Sequence, residues 1–299
     1  MRGDRMKKLF KKRPSHIPQY RRYTRSKAGN FFYFFFLIVF GLFSVLPLYY
    51  SVITSFKPLD ELLVFPPKFY VSRPTLSNYL EIPPLLSNLN VPLSRYVFNS
   101  VFICVLTTVL NIVISAMAAF VLSKGTIKGR AVMFWMIQFA LMFNGFTLAI
   151  PQFIISNAIG IVDTYLAYIL PALSSTMGVF LMKQYMEGYI PYALIESARI
   201  DGAGYMRLFW SIIMPIVKPA WLTLTLFSFT GIWSTTSNMV FSEELKTLPT
   251  IMSQVVTGGI ARTGSGMAVS VILMIPPIVV YLISQSNVMQ TMSSAGIKG

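Results

Sequence analysis

The chain has 299 residues, 55% of them apolar and only 12% charged, with a mean hydropathy of +0.63. Soluble domains carry about 25% charged residues, so roughly half of that charge is missing and an ordinary water-soluble domain is excluded. A formal net charge of +15 would point a soluble protein towards nucleic acid. Here the basic residues gather beside apolar segments on one side, which excludes that reading too.

Residues 1–30 hold eleven basic groups, from Arg2 to Lys27, against one acid, Asp4. They read as a basic cytoplasmic N-terminal segment, with His16 as an ordinary tail residue. Residues 31–56 contain no Asp, Glu, Lys or Arg. About 20 apolar residues cross a bilayer core as a helix. The run is also longer than the roughly 7–15 residues of a cleavable signal core, so a retained first transmembrane helix is expected. Residues 57–94 carry Pro58, Pro66, Pro67, Pro74, Pro83, Pro84 and Pro92. Backbone so rich in proline builds no long helix, and an outer loop with one short helix near Leu76–Leu80 is predicted.

Five further charge-free windows follow, at 96–123, 131–162, 164–182, 219–242 and 263–297. They predict helices over about 97–122, 131–153, 164–182, 219–240 and 267–287. The third is expected to end near Pro151, before an outer turn with Gly160 and Asp163. A shorter stretch at 247–261 contains Pro249, Gly258 and Gly259 and reads as loop. The expected fold is all-α and polytopic, with six transmembrane helices and 31–299 as one transmembrane domain.

With the N-terminus inside, six spans put 123–130, 183–218 and the C-terminus on the same side. That side then holds 19 Lys and Arg residues, and the other holds Lys57, Lys68, Arg73, Arg95, Lys246 and Arg262. This is the positive-inside pattern, and it predicts an N-in, C-in orientation. Pro47, Pro171, Pro276 and Pro277 fall within spans, where they kink helices or leave carbonyls unpaired. Neighbouring helices or a wet cavity then satisfy the freed groups. Cys104 is the one cysteine and sits mid-span, where it is expected to pack as a small hydrophobe. One Cys and one His cannot supply the three or four convergent ligands of a metal site.

The cytoplasmic stretch 184–218 differs from the other connections. Residues 191–200 suit a helix, with Pro191 at a first-turn position and a length of about 15 Å, too short to cross a bilayer. Asp201-Gly202 ends it, because glycine accepts positive φ at a helix terminus, and Asp201 is expected to cap the next helix. Tyr205, Leu208, Phe209 and Ile212 then fall at i, i+3, i+4 and i+7, until Pro215 and Pro219 intervene. Ser197, Ala198, Gly202, Ala203 and Gly204 form a crest of small residues that permits close approach of another backbone. On pattern alone, two readings stand: a rigid knob seated in a partner, or an interfacial amphipathic helix without one.

The run Glu196-Ser197-Ala198-Arg199-Ile200-Asp201-Gly202-Ala203 resembles the E-A-A-x-x-D-G-A loop of the permease subunits of ATP-driven importers. Most of the chain is similar to the carbohydrate-uptake class of type I importers, relatives of the maltose permease G subunit. Further matches are Thr75-Leu76-Ser77-Asn78-Tyr79, Asn99-Ser100, Ile150-Pro151, Gly160–Thr164, Phe229, Trp233, Thr247-Leu248-Pro249 and Ala295–Gly299. The resemblance implies a type I permease fold paired with a similar second permease. Two cytoplasmic ATPase subunits that handle ATP and Mg, and an extracellular solute-binding protein, complete the assembly. It also implies ATPase docking by Glu196, Ser197, Ala198, Asp201, Gly202, Ala203 and Gly204, with Glu196 meeting a polar or basic group and the C-terminal tail reaching the same partner. Two departures stand out. Ser197 replaces the usual alanine, small for small. After Trp233 the family often has Asn-Asp or Asn-Glu where this chain has Ser234-Thr235, which withholds transfer of substrate contacts there.

The chain has no Gly-x-x-x-x-Gly-Lys-Ser/Thr loop, no catalytic triad and no carboxylate pair, so it is not expected to be an enzyme. No cofactor is expected in it. Polar residues within spans are costly and often functional, which makes Asn111, Gln138, Asn144 and Asn238 pathway candidates together with Trp233. Trp135, Phe139, Phe143 and Tyr168 are their aromatic neighbours, and Gln138, Phe139, Met142 and Gly145 are expected near one face of the third span. Sugars present hydroxyl edges and apolar ring faces, which suit amides beside aromatics, although such amides also serve as glue between helices. A sugar or oligosaccharide importer is the reading. The alternatives are an importer of the same architecture for an amino acid, polyol or glycerol phosphate, and a stand-alone carrier or channel. Ion coupling calls for intramembrane charge, which the six windows lack. A membrane-embedded hydrolase lacks catalytic residues.

Overall fold

The computed structural model describes residues 27–87, 91–143, 145–256 and 262–296. The basic tail with His16, Asn144, Gly258, Gly259 and the terminal 297–299 lie outside the described residues. All regular structure among the described residues is helical. By backbone contacts the chain divides into residues 1–49 and 50–299. In the first unit, α1 (Lys27–Ser55) exposes an almost unbroken apolar surface from Phe31 to Leu48.

The second unit contains α2 (Leu93–Lys124), α3 (Arg130–Ala140), α4 (Gly145–Ala158), α5 (Leu166–Leu173) and α6 (Thr176–Tyr189). These are followed by α7 (Tyr192–Ile200), α8 (Tyr205–Ile216), α9 (Lys218–Trp233), α10 (Leu248–Val256) and α11 (Thr263–Gly296). Among the described residues, four helical segments are long and apolar enough to cross a membrane: Ala28–Ser55, Leu93–Lys124, Leu166–Tyr189 and Thr263–Gln285. A fifth arises if α8 and α9, bent by 81° at Val217, count as one broken span.

Several expectations are corrected. The third window is not one helix: it breaks after Ala140, and α4 runs on through Pro151 to Ala158. Met142 and Gly145 therefore do not share a helix face with Gln138. The fourth span is interrupted at Ser174-Ser175 and extends to Tyr189, so it includes Lys183 and Glu187. The fifth ends at Trp233, where the run Ser234-Thr235-Thr236-Ser237-Asn238 offers side-chain hydrogen bonds that compete with helix. The stretch read as loop from 247 carries α10, with Pro249 in its first turn, a position where a missing N–H costs nothing. Among its described residues the outer segment has three short helices, Leu59–Leu62, Ser77–Leu80 and Ile82–Ser87.

At the broken ends, side chains take over the lost backbone bonds. The Asn111 amide donates to Ala172 O at 2.9 Å, close to the interruption between α5 and α6. There Ser175 Oγ caps α6 by accepting from Gly178 N–H at 3.0 Å. The Trp233 indole N–H donates to Leu273 O at 2.9 Å. Residue 277 is proline, so that carbonyl has no N–H four residues on to accept from. Asn78 donates to Ser55 O and Lys57 O, both at 2.8 Å, closing the end of α1. Cys104 is buried, with its thiol 3.5 Å from Phe229 O.

Among the described residues the core falls into three clusters. One joins Ile112 and Ala116 of α2 to Met182 and Met186 of α6, Ile195 and Ala198 of α7, and Leu208, Ile213 and Leu224 beyond. A second gathers Tyr96, Ile251, Met252 and Val269, and the third gathers Ile103, Tyr168 and Val240. Near the start of α2, Asn99 donates to Glu244 O and Lys246 O and accepts from the Tyr165 hydroxyl. At its far end, Ser123 O accepts from the Tyr192 hydroxyl at 3.1 Å. The first and last of these ties lie about 36 Å apart along the helix, one near each end of α2.

Candidate functional site

The site begins with α7. Pro191 precedes its first residue in extended conformation, and nine residues give a rod about 14 Å long. The helix ends in a complete Schellman turn. Gly202 N–H donates to Arg199 O at 3.0 Å, Ala203 N–H donates to Ala198 O at 2.9 Å, and Gly202 sits at φ +77°. Open space surrounds the position of a Cβ on Gly202, so glycine is required there by backbone conformation and not by crowding.

Burial splits the predicted small-residue crest. Ala198 is 7% exposed and Ile195 6%, both packed into the α2–α6–α8 core, with Ala203 partly buried against it. Glu196, Ser197, Asp201, Gly202 and Gly204 are exposed. The inner side of the helix is therefore anchored in the bundle while the outer side and its turn face away. Ser197 Oγ folds back on Leu194 O at 3.1 Å, and the Arg199 guanidinium lies 4.7 Å from the centre of the Tyr205 ring. Glu196 takes part in none of the ion pairs among the described residues. Ile200 (85% exposed), Tyr205 and Met206 add an apolar rim to the turn. Ile200 and Met206 are not among the docking candidates of the sequence, although Ile200 lies out of phase with the Ile195–Ala198 face.

Asp201 does not cap the next helix. Gly204 is the N-cap of α8, and no side-chain bond closes it. The apolar stripe of α8 is also re-phased, because Leu208–Ile213 is π-helical. A wider turn brings residues five apart onto one side, so Leu208, Phe209 and Ile213 are buried, Ile212 only partly so, and Tyr205 is exposed.

The pathway candidates scatter. Asn238 lines a cavity of about 560 Å³ between α4, α5 and the 235–239 loop, with Gln152, Phe153, Tyr168, Thr235 and Ser237. Trp233 lines a neighbouring cavity of about 470 Å³ with Pro249 and Pro277, but its N–H is committed to Leu273. Asn111 is buried and spent on Ala172 and Ser115. Gln138 is exposed on α3, beside stacked Trp135 and Phe139. Gln152 is not among the sequence candidates, although it directly follows Pro151 inside a charge-free window, and Thr235 enters there only as a departure from the family pattern.

One loop contact holds the segment that follows the cavity-lining residues 235–239. Asp163, at φ +58°, accepts from Phe241 N–H at 2.9 Å and Ser242 N–H at 2.8 Å, and also from the Ser242 hydroxyl. Its own N–H donates to Met239 O at 2.8 Å. The Ser242 hydroxyl, followed by the two N–H groups, holds its carboxyl below the ordinary carboxylate range.

Residues 111–294 match the family described as binding-protein-dependent transport system inner membrane component. The chain belongs to this family. It is a transport permease of the bacterial cytoplasmic membrane, crossing it several times. It is 28% identical to the polygalacturonan/rhamnogalacturonan transport system permease protein YtcP of Bacillus subtilis, over 88% of this chain and 96% of that one. With the arabinooligosaccharides transport system permease protein AraQ of Bacillus subtilis it shares 26% identity, over 95% of this chain and 99% of the relative. Among solved structures, a chain of a bacterial ABC transporter involved in the import of the acidic polysaccharide alginate superposes with a TM-score of 0.73. The match has 24% identity and covers 88% of this permease and 98% of that chain. The shared fold is the ABC importer permease fold.

Proposed function

We propose that this permease forms half of the pathway of an ATP-driven importer for a sugar or oligosaccharide and docks a cytoplasmic ATPase through α7 and its Asp201-Gly202 turn. The observation that carries the proposal is the division of α7. Ile195 and Ala198 lock it into the bundle core, while Glu196, Ile200, Asp201 and Gly202 stand exposed beside Tyr205 and Met206. A rigid knob with an apolar rim and unmatched carboxylates is the kind of patch that marks a protein interface. Movement of α7 would pass through its shared cluster to Met186 of α6, Leu208 and Ile213 of α8, and Leu224 of α9. The nucleotide, held with Mg on the ATPases, must bind two states with different affinity to drive that movement. The chain would sit N-in and C-in, with a similar second permease completing the pathway and an extracellular binding protein delivering the solute.

The relatives' names supply the solute class, and the cavity chemistry is consistent with it. Amide and hydroxyl groups of Gln152, Thr235, Ser237 and Asn238 beside Tyr168 and Phe153 suit hydroxyl edges and ring faces. Among the described residues no charged side chain lines the cavity, which favours an uncharged glycan over an acidic one such as alginate.

The test is co-purification of the ATPase subunits with the permease pair, comparing wild type with Glu196→Lys and Gly202→Asp. The proposal predicts capture by the wild type and loss in both variants at unchanged membrane levels. Undiminished capture by both would refute the docking assignment.

A further inference from the structure

A cavity of about 430 Å³ lies where α2 ends, α3 begins and α7 starts, bounded by Lys124, Arg130, Phe134, Lys183, Glu187 and Tyr192. We propose that it is a binding site for the phosphate-bearing headgroup of an anionic membrane lipid. Its volume falls within the roughly 300–1,000 Å³ of small-ligand pockets. It also sits at the end of the spans, on the α7 side, the level at which headgroups lie.

Charge is the first argument. Three cations face one acid, and Glu187 is already paired with Lys183 at 2.8 Å. The Lys183 ammonium also lies 3.7 Å from the centre of the Phe134 ring. Lys124 and Arg130 belong to none of the ion pairs among the described residues. The Lys124 ammonium rests 4.5 Å from the centre of the Tyr192 ring, and one Arg130 nitrogen donates to Gly125 O at 2.8 Å. An ammonium has three donors and a guanidinium five, so both keep donors for a ligand and two positive charges remain uncompensated. The first turn of α3 adds N–H groups without intrahelical acceptors and the positive end of the helix dipole.

The second argument is the surface beside the pocket. Helix α3 begins at Arg130, and Trp135, one turn beyond the pocket-lining Ala131, is exposed. An amphiphile with its phosphate on Lys124 and Arg130 would lay its chains along such a surface, and tryptophan favours that interfacial depth. A free phosphate would satisfy the same cations but would make no use of the apolar neighbour. Basic pockets between transmembrane helices are a recurrent headgroup site.

A bound headgroup would bridge α2 and α3 directly above the Tyr192 tie to Ser123 that secures the start of α7. Anionic lipid would therefore stiffen the anchor of the knob; that consequence, unlike the binding itself, rests on the docking reading.

The experiment is native mass spectrometry of the full-length permease purified with its partner subunits and delipidated. Phosphatidylglycerol, phosphatidylcholine or inorganic phosphate is then added. Wild type is expected to retain phosphatidylglycerol over phosphatidylcholine. The Lys124→Gln/Arg130→Gln variant should lose about thirtyfold in that binding, each surface cation being worth roughly fivefold. The charge-preserving Lys124→Arg/Arg130→Lys variant should keep it. Equal retention of the two lipids by wild type, or undiminished phosphatidylglycerol binding by the glutamine variant, overturns the site. Displacement of phosphatidylglycerol by equimolar inorganic phosphate reassigns it to a soluble anion and overturns the lipid proposal. If the glutamine variant does not fold, the wild-type lipid comparison and the charge-preserving variant decide alone. Lipid retention is read without ATPase capture, so failure here and failure of the docking assignment are separate results.

Discussion

Replacing Trp233 with Phe removes one hydrogen-bond donor and leaves an aromatic ring where the indole stood. The partner of that donor is Leu273 O, 2.9 Å away on α11. In an unbroken α-helix this carbonyl would accept from residue 277, which is proline and has no N–H. Leaving a buried carbonyl unsatisfied costs about 1–3 kcal/mol, and interhelical hydrogen bonds inside membranes average about 0.6 kcal/mol with a maximum near 1.7. About 1 kcal/mol is therefore expected for Trp233→Phe. The informative comparison is the same change in a Pro277→Ala background. There residue 277 regains its N–H, the helix closes its own bond, and the indole donor becomes redundant. Trp233→Phe should then cost only its packing difference, giving a coupling energy of about 0.6–1.7 kcal/mol between residues 44 positions apart. Thermal unfolding of the four detergent-solubilised proteins reads it, at about 2–4 °C per kcal/mol. Costs that add to within about 0.3 kcal/mol would refute the claim that Trp233 repairs the proline gap.

Gly202→Ala should cost about 1–2 kcal/mol because the φ of +77° is left-handed and the position is otherwise uncrowded. Gly202→Asn should recover most of that in the same unfolding assay. The Asp163 carboxyl has its folded pKa lowered by the Ser242 and Phe241 donors. Its stabilisation is therefore present above the unfolded value of about 3.9 and lost as pH falls through the folded one. Between pH 5 and pH 3, wild type should lose more thermal stability than Asp163→Asn, and parallel profiles would count against the clip. Gly264→Ala places a methyl group against the Asn78 side chain, 2.7 Å from its Cγ, and should cost about 1–3 kcal/mol by overpacking. In an Asn78→Ala background the same change should cost much less, as a double-mutant unfolding series would report.

The ends of the first two spans and the starts of α9 and α11 were legible to within about four residues, because charge, proline and glycine mark where such segments begin or end. The interiors were not. In windows where nearly every residue is apolar, the contrast that gives a helix its phase is absent, and the break after Ala140 carries no charge or proline to announce it. The α10 helix was hidden for the opposite reason: Pro249 reads as a breaker unless the start of the helix is known to lie one residue before it. Asn111 and Trp233 could be recognised as costly polar groups in spans, but their uses depend on carbonyls 61 and 40 residues away in sequence. Neither partner can be named before the bundle is assembled.

The proposed docking segment shows the same limit within nine residues. Its length, its proline start and its glycine stop follow from local chemistry. Which of its small residues face outwards does not, because Ala198 and Gly202 are alike in the sequence pattern and opposite in the fold. Ala198 is small so that α7 can lie close against the bundle, and Gly202 is a glycine so that the chain can turn away from it. If α7 docks the ATPase as proposed, a change at either position weakens that docking by a different route. Ala198→Leu should loosen the anchor and lower unfolding stability by about 1–3 kcal/mol through overpacking. Glu196→Lys, on the exposed side, should leave stability within about 0.5 kcal/mol of wild type while abolishing ATPase capture. If the two variants lost stability equally, α7 would be a packing element throughout, and its exposed side would have no claim to be a docking surface.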